Sequence, residues 1–154
     1  MTTRISIYLL LKCSNYIFLN DADRAITYSE KVWPKCDLLL PVGWYMFSGS
    51  AGAMMATSCV HSYGESRCAT DVPGWFQGHH PSPSEGAIQA KVCFQGDTCC
   101  DDSVNIRVRN CGEFYVYEIK PAPRCNLRYC GQPGKTKRLK FGFYSLKKVP
   151  WRNT

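Results

Sequence analysis

A chain of 154 residues with ten cysteines has the length of one domain and can bury roughly two-thirds of its unfolded surface. An even set of cysteines at this density excludes an ordinary reducing compartment and points to a secreted or cell-surface protein held by disulfides. Residues 1–130 hold 12 Lys+Arg and 12 Asp+Glu, so the formal charge of +7 lies wholly in residues 131–154 and the basic balance implies nothing about the cysteine-rich body.

The chain opens on a leader-like segment, residues 1–12, in which Arg4 precedes a short apolar run from Ile5 to Leu11 with no small-residue cleavage site after it. No apolar run approaches the roughly 20 residues of a membrane span. Between Asn20 and Ser29 the polar residues Asn20, Asp21 and Asp23 offer N-caps for one short helical turn, closed by Pro34 and Cys36. Gly43-Trp44-Tyr45-Met46-Phe47 reads as an aromatic-rich strand, Ser48 to Gly52 as a small-residue turn, and Met54 to Val60 carries the chain to Cys59. Asp71 to Pro81, crowded with Pro, Gly and aromatics, is expected to be a loop without regular structure. Its Trp75 is the expected exposed contact residue.

Alternation returns at Ala87 to Phe94, where Ile88, Ala90, Val92 and Phe94 share one side of a strand. In Val104 to Arg109 the apolar β-branched residues occupy every second position, and Phe114 to Ile119 is aromatic and β-branched throughout. The joining Asn110-Cys111-Gly112-Glu113 supplies Asn and Gly where a hairpin turn needs positive φ, which predicts a β-hairpin with a cysteine in its turn. Beyond Cys130, residues 131–154 form a basic tail. The ten cysteines run from Cys13 to Cys130, so the chain divides into residues 1–12, a domain over 13–130, and the tail. The expected fold is all-β, small and disulfide-rich, with one short N-terminal helical turn.

Six cysteines crowd between Lys91 and Cys130, two of them adjacent. A bond between Cys99 and Cys100 would close a ring whose Cα atoms stand only about 3.8 Å apart, below the usual disulfide separation, so the two sulfurs are expected to seek different partners. A zinc cluster is the rival, but paired C-x₂₋₄-C knuckles are missing, and Cys125-x₄-Cys130 is the only short-spaced pair besides the vicinal one. Ten cysteines allow about 945 pairings, so spacing leaves the connectivity open.

The sharper chemical readings each have a plainer competitor. His79-His80 could suggest a metal pair, yet neighbours on an extended loop point to opposite sides, and His80-Pro81 is better read as shaping the loop. Cys59 with His61 could suggest a nucleophile, but an oxidised sulfur is no thiolate, and no enzyme is expected. Asp101-Asp102 with Asp97 lacks the spaced acidic ladder of a calcium site and reads as a solvated turn. No metal or other cofactor is implied. Trp44, Tyr45, Phe47, Tyr115 and Tyr117 belong to the core more readily than to a ligand surface. In the tail, Lys135, Lys137, Arg138 and Lys140 precede Phe141, Phe143 and Tyr144, a mixture that could pair with a polyanion. An extracellular setting favours an acidic glycan or anionic lipid surface over nucleic acid, with a solvated tail as the plain alternative.

Taken in order, Gly43-Trp44-Tyr45 and Phe47, Met55-Ala56, Cys59-Val60, Cys68, Pro73, Trp75, Gly78 and His80-Pro81 resemble the eight-cysteine domain of the uromodulin, zymogen granule glycoprotein 2 and oncoprotein-induced transcript 3 type. Glu85-Gly86, Cys93, Cys99-Cys100, Cys111-Gly112, Tyr115-Val116-Tyr117, Pro123, Cys125 and Tyr129-Cys130 extend the likeness over residues 36–130. The resemblance implies an extracellular β-rich module without catalysis, found in mosaic proteins; its expected role is to recognise a protein or glycan or to act as a spacer in a larger mosaic. It implies the pairs Cys13–Cys111, Cys36–Cys125, Cys59–Cys99, Cys68–Cys130 and Cys93–Cys100. The candidate ligand loop, read around Trp75, comprises Trp75, Gly78, His79, His80 and Pro81. Mammalian relatives carry an Asn-Gly-Thr glycosylation site there, whereas Gln77-Gly78-His79 stands in this chain, which has no N-x-[ST] sequence anywhere.

Overall fold

The computed structural model describes residues 13–30, 32–60 and 65–134. Among these residues nine strands follow in order: β1 Ile17–Leu19, β2 Gly43–Phe47, β3 Met54–Met55, β4 Val72–Gln77, β5 Ala87–Phe94, β6 Asp102–Asn110, β7 Tyr115–Ile119, β8 Leu127–Tyr129 and β9 Gly131–Gln132. Seven of them form one sheet in the order β1-β2-β7-β6-β5-β4-β8, and β3 pairs with β9 in a second, two-stranded sheet. The fold is all-β, as its composition of alternating and aromatic runs predicts.

The long antiparallel centre arises from the runs with the clearest period of two. β5 and β6 pair over eight residues from Ala87↔Arg109 to Phe94↔Asp102, and β6 continues through the hairpin into β7 with Asn110 opposite Tyr115. The turn closes with the Cys111 N–H donating to the Phe114 carbonyl (2.8 Å), and Gly112 takes φ 93°. Along these strands Val92, Phe94, Ile106, Val108, Tyr117 and Ile119 face one buried core with Tyr45 and Phe47 of β2. The burial of such side chains is the main favourable term in the fold. Of the five aromatics expected in the core, Tyr45, Phe47 and Tyr117 are fully buried, while Trp44 and Tyr115 are half-buried.

The stretch expected to be a loop is corrected. Val72–Gln77 is strand β4, antiparallel to β5 and parallel to β8. Proline and glycine disguise it. Pro73 stands just past the last β4–β5 partner pair, Gly74/Phe94, where its carbonyl still accepts the Gln95 N–H (3.1 Å) and its missing N–H removes no internal rung. Gly74 is needed because a Cβ there would lie 2.7 Å from the Phe94 ring and 2.9 Å from the Arg128 carbonyl.

The helical turn is a 3₁₀ turn, Ala22–Arg24, and Asp21 before it makes no side-chain cap; its carbonyl instead accepts the Arg24 N–H (3.0 Å). The boundary at residue 130 is also shifted by the structure, since Gly131–Gln132, assigned to the tail, pair with Met54–Met55. Gly131 is buried there, and a Cβ on it would run into the Ala51 carbonyl and the Phe47 ring (2.6 Å). Gly131→Ala is therefore expected to lose about 2–3 kcal/mol, the upper part of the range for overpacking. Denaturant unfolding of the oxidised protein measures it, and a loss below about 0.5 kcal/mol would mean that β9 moves aside freely.

Candidate interaction loop and the disulfide frame

Five disulfides join Cys13 to Cys111, Cys36 to Cys125, Cys59 to Cys99, Cys68 to Cys130 and Cys93 to Cys100, which leaves no cysteine unpaired. The vicinal sulfurs go to different partners. Cys100 returns seven residues to Cys93 at the end of β5, and Cys99 reaches 40 residues back to Cys59. Cys59 thus carries no thiol, and its neighbour His61 lies outside the described residues. Among the described residues no group of three potential metal ligands comes together.

A buried ionic frame works beside the sulfurs. The Arg24 guanidinium donates from Nη1 to Asp37 Oδ2 (2.7 Å) and from Nη2 to Oδ1 (3.1 Å), and Nη1 also reaches the Tyr129 carbonyl (3.0 Å). Arg128, equally buried, donates to Asp23 Oδ1 (2.9 Å) and to the Cys68 carbonyl (2.8 Å). The two arginines fasten the N-terminal 3₁₀ turn to β8.

The five residues of the candidate ligand loop divide into two groups. Trp75 is corrected from an exposed contact to a half-buried strand residue. Its Nε1–H donates to the Cys99 carbonyl (2.8 Å), and its ring packs on the cluster of Ala56, Cys68 and Cys130. Pro81 is buried, and its carbonyl accepts Asn110 Nδ2–H (2.9 Å). His80 turns inward as well. Its ring lies 4.4 Å from the centroids of both Phe76 and Tyr115, and its Nε2 stands 2.7 Å from Tyr117 Oη. Burial first, and then the adjacent His79, lowers the imidazole pKa from the usual 6.5 to about 4. The same burial pushes the Tyr117 phenol well above its usual range.

Only Gly78, with φ 143°, and His79 face solvent. His79 Nε2 lies 3.3 Å from Glu85 Oε1. Glu85 belongs to the 3₁₀ turn Pro83–Glu85, where its Oε2 accepts the Ser82 N–H (2.6 Å) in a capping box. That Ser82 hydrogen bond, with His79 adding to it, holds the carboxyl below the usual range. Asn110, Tyr117 and Glu85 complete the loop without having been assigned to it from the sequence. Only Glu85 left a readable signal, the Ser82-Pro83-Ser84-Glu85 spacing of a capping box. No cysteine is free, among the described residues no group of three potential metal ligands comes together, and the loop offers a surface bonded to itself.

Lys135, Lys137, Arg138 and Lys140, like residues 1–12, lie outside the described residues. Among the described residues no helix is long and apolar enough to cross a membrane.

Residues 45–131 match the family model of the uromodulin-like eight-cysteine domain. Mouse uromodulin is 41% identical over 123 residues, which is 79% of this chain and 18% of that protein. Rat pancreatic secretory granule membrane major glycoprotein GP2 is 36% identical over 126 residues, 79% of this chain and 23% of that protein. The human protein of that name is 35% identical over 123 residues, 79% of this chain and 22% of that protein. The chain thus spans about a fifth of the length of the curated relatives it matches.

Proposed function

We propose, given that this chain belongs to the uromodulin-like eight-cysteine domain family, that it is a non-catalytic extracellular module that presents a rigid surface to a protein or glycan, as one part of a larger mosaic protein. The observation that carries this reading is that all ten cysteines are consumed in bridges. With them go the nucleophile and the zinc ligands that a cysteine-rich chain could otherwise offer. The relatives' much greater length supports the mosaic arrangement, with the domain running from residue 13 through the last bridge at Cys130 to strand β9. His79 and Gly78 are the members of the loop open to a partner.

A second reading is favoured by charge alone. Because residues 1–130 balance to zero, strongly salt-dependent binding to a polyanion belongs to the seven bases of 131–154, among them Lys135, Lys137, Arg138 and Lys140. One experiment separates the two. The oxidised full chain and a variant with those seven bases replaced by Gln are compared on heparin and on arrays of glycans and extracellular proteins. Heparin retention should shift strongly with salt for the first and become nearly flat for the second, since each phosphate-like contact adds close to one unit of log–log slope on duplex DNA. Binding to an array that survives neutralisation and disappears on reduction of the disulfides supports the module. Late, salt-sensitive elution of the neutralised variant would reveal a basic face on the body and defeat the charge argument.

A further inference from the structure

The β4–β5 connection, residues 78–86, carries no cysteine, the nearest on either side being Cys68 and Cys93. It is held down by side chains. Tyr117 Oη accepts the Met55 N–H (2.9 Å), so one of its lone pairs is taken, and the burial that suppresses phenol ionisation keeps its O–H as a donor. Among the described residues His80 Nε2 stands at hydrogen-bond distance from that oxygen (2.7 Å) and accepts its proton when the ring is neutral. The arrangement suits His80 as the neutral ring with its own proton on Nδ1.

We propose that His80 is an acid-operated latch: neutral, it pins the β4–β5 connection to β7 and β3, and protonated, it releases that connection while the disulfide frame stays folded. Protonation puts an N–H where Nε2 accepted a bond, so the Tyr117 hydroxyl must turn its proton away and that buried proton loses its acceptor. None of the described groups packed against the ring is a carboxylate that would pair with the new charge. β4 presents Phe76, β7 presents Tyr115 and Tyr117, and β3 presents the Met55 amide. From β6, the Asn110 side chain takes the Pro81 carbonyl. The nearest carboxylate on the connection, Glu85, is engaged by Ser82 and His79, and His79 itself repels a charged neighbour. When His79 is protonated its partner on this connection is Glu85, which leaves His80 aside.

The sign follows from the two states. With the connection open, the imidazole titrates near its usual 6.5, and with it closed, near 4. Closure is therefore fully favoured above pH 6.5, weakens as pH falls from 6.5 to about 4, and changes no further below that. The open-to-closed ratio should rise on the order of 100-fold across this window.

Amide hydrogen exchange of the oxidised full chain, corrected for intrinsic rates, reads this directly. Between pH 6.5 and about 4 the protection of Met55 and of residues 79–86 should fall on the order of 100-fold, while the β5–β6 amides keep theirs. His80→Phe should remove the pH dependence, and Glu85→Gln should retain it. Imidazole NMR on the unmodified chain supplies the same answer if His80→Phe does not fold, with His80 titrating well below the usual 6.5. Three results would overturn the latch: an unchanged fall in His80→Phe, a His80 titration at its ordinary value with the connection closed, or loss of protection throughout the sheet.

Discussion

Asp37→Ala is expected to cost about 3–5 kcal/mol, the loss typical of breaking a buried ion pair by removing one partner. The carboxylate is 4% exposed and the Arg24 it holds is 5% exposed, so the pair sits almost wholly outside water. Asp37 does more than neutralise a charge. Its Oδ2 also accepts the Tyr129 N–H (2.8 Å), its backbone N–H donates to the Leu127 carbonyl, and its own carbonyl accepts the Ala122 N–H. Removing the side chain leaves a buried guanidinium with only the Tyr129 carbonyl and the exposed Asp21 carboxylate, 3.9 Å from its Nε, to face it. It also leaves a buried backbone donor on β8 unmet. The attraction within the pair does not set the size of the loss; the unpaired partner does. Replacing both residues with apolar ones, Arg24→Met with Asp37→Leu, should therefore cost clearly less than the sum of the single changes. Denaturant unfolding of the wild type, the two single variants and the double variant gives the coupling energy. Additive losses, or a single loss under about 1 kcal/mol, would show that water reaches the pair.

What the sequence makes legible here tracks the length of each alternating run. β5, β6 and β7 could be placed because eight-, nine- and five-residue strands carry enough period-two signal to name a buried face. β1 and β8, three residues each, and β9, two residues, offer no period, and their pairing is decided by what the rest of the chain brings beside them. β4 was hidden for a different reason. Gly74 is a close-approach glycine and Pro73 an end-of-ladder proline, and local sequence cannot distinguish either from turn residues. The same mistake carried Trp75 outward, because a tryptophan on a loop is a contact residue and a tryptophan on a strand beside Cys93 is packing. His80 was legible as a residue that shapes the loop, but its partner Tyr117 lies 37 positions on, and Arg24 is separated from Asp37 by 13. Pairings at such distances leave no spacing to read.

The paired change Cys68→Ala with Cys130→Ala is expected to cost about 4 kcal/mol, and Cys93→Ala with Cys100→Ala about 2 kcal/mol. In the chain-entropy account the difference comes from loop size, since the first bond spans 62 residues and the second seven. Packing adds to the difference. Cys68 and Cys130 are both 0% exposed within the cluster that holds Trp75, whereas Cys100 lies at the surface. Backbone conformation points the same way: Cys68 and Ala69 adopt φ 58° and 50°, left-handed values that residues with a Cβ take up only when their surroundings impose them. Without the bond to Cys130, that pair of residues is free to relax toward ordinary φ. The Cys68 carbonyl then withdraws from buried Arg128, which loses its 2.8 Å acceptor. The destabilisation should accordingly begin locally. Hydrogen exchange should quicken first at position 68, at Thr70 and Val72 and along β8, with the β5–β6–β7 centre last to respond. Equal losses for the two double variants, or loss of protection spread evenly over the sheet, would mean that neither loop length nor the left-handed pair sets the contribution of this bond.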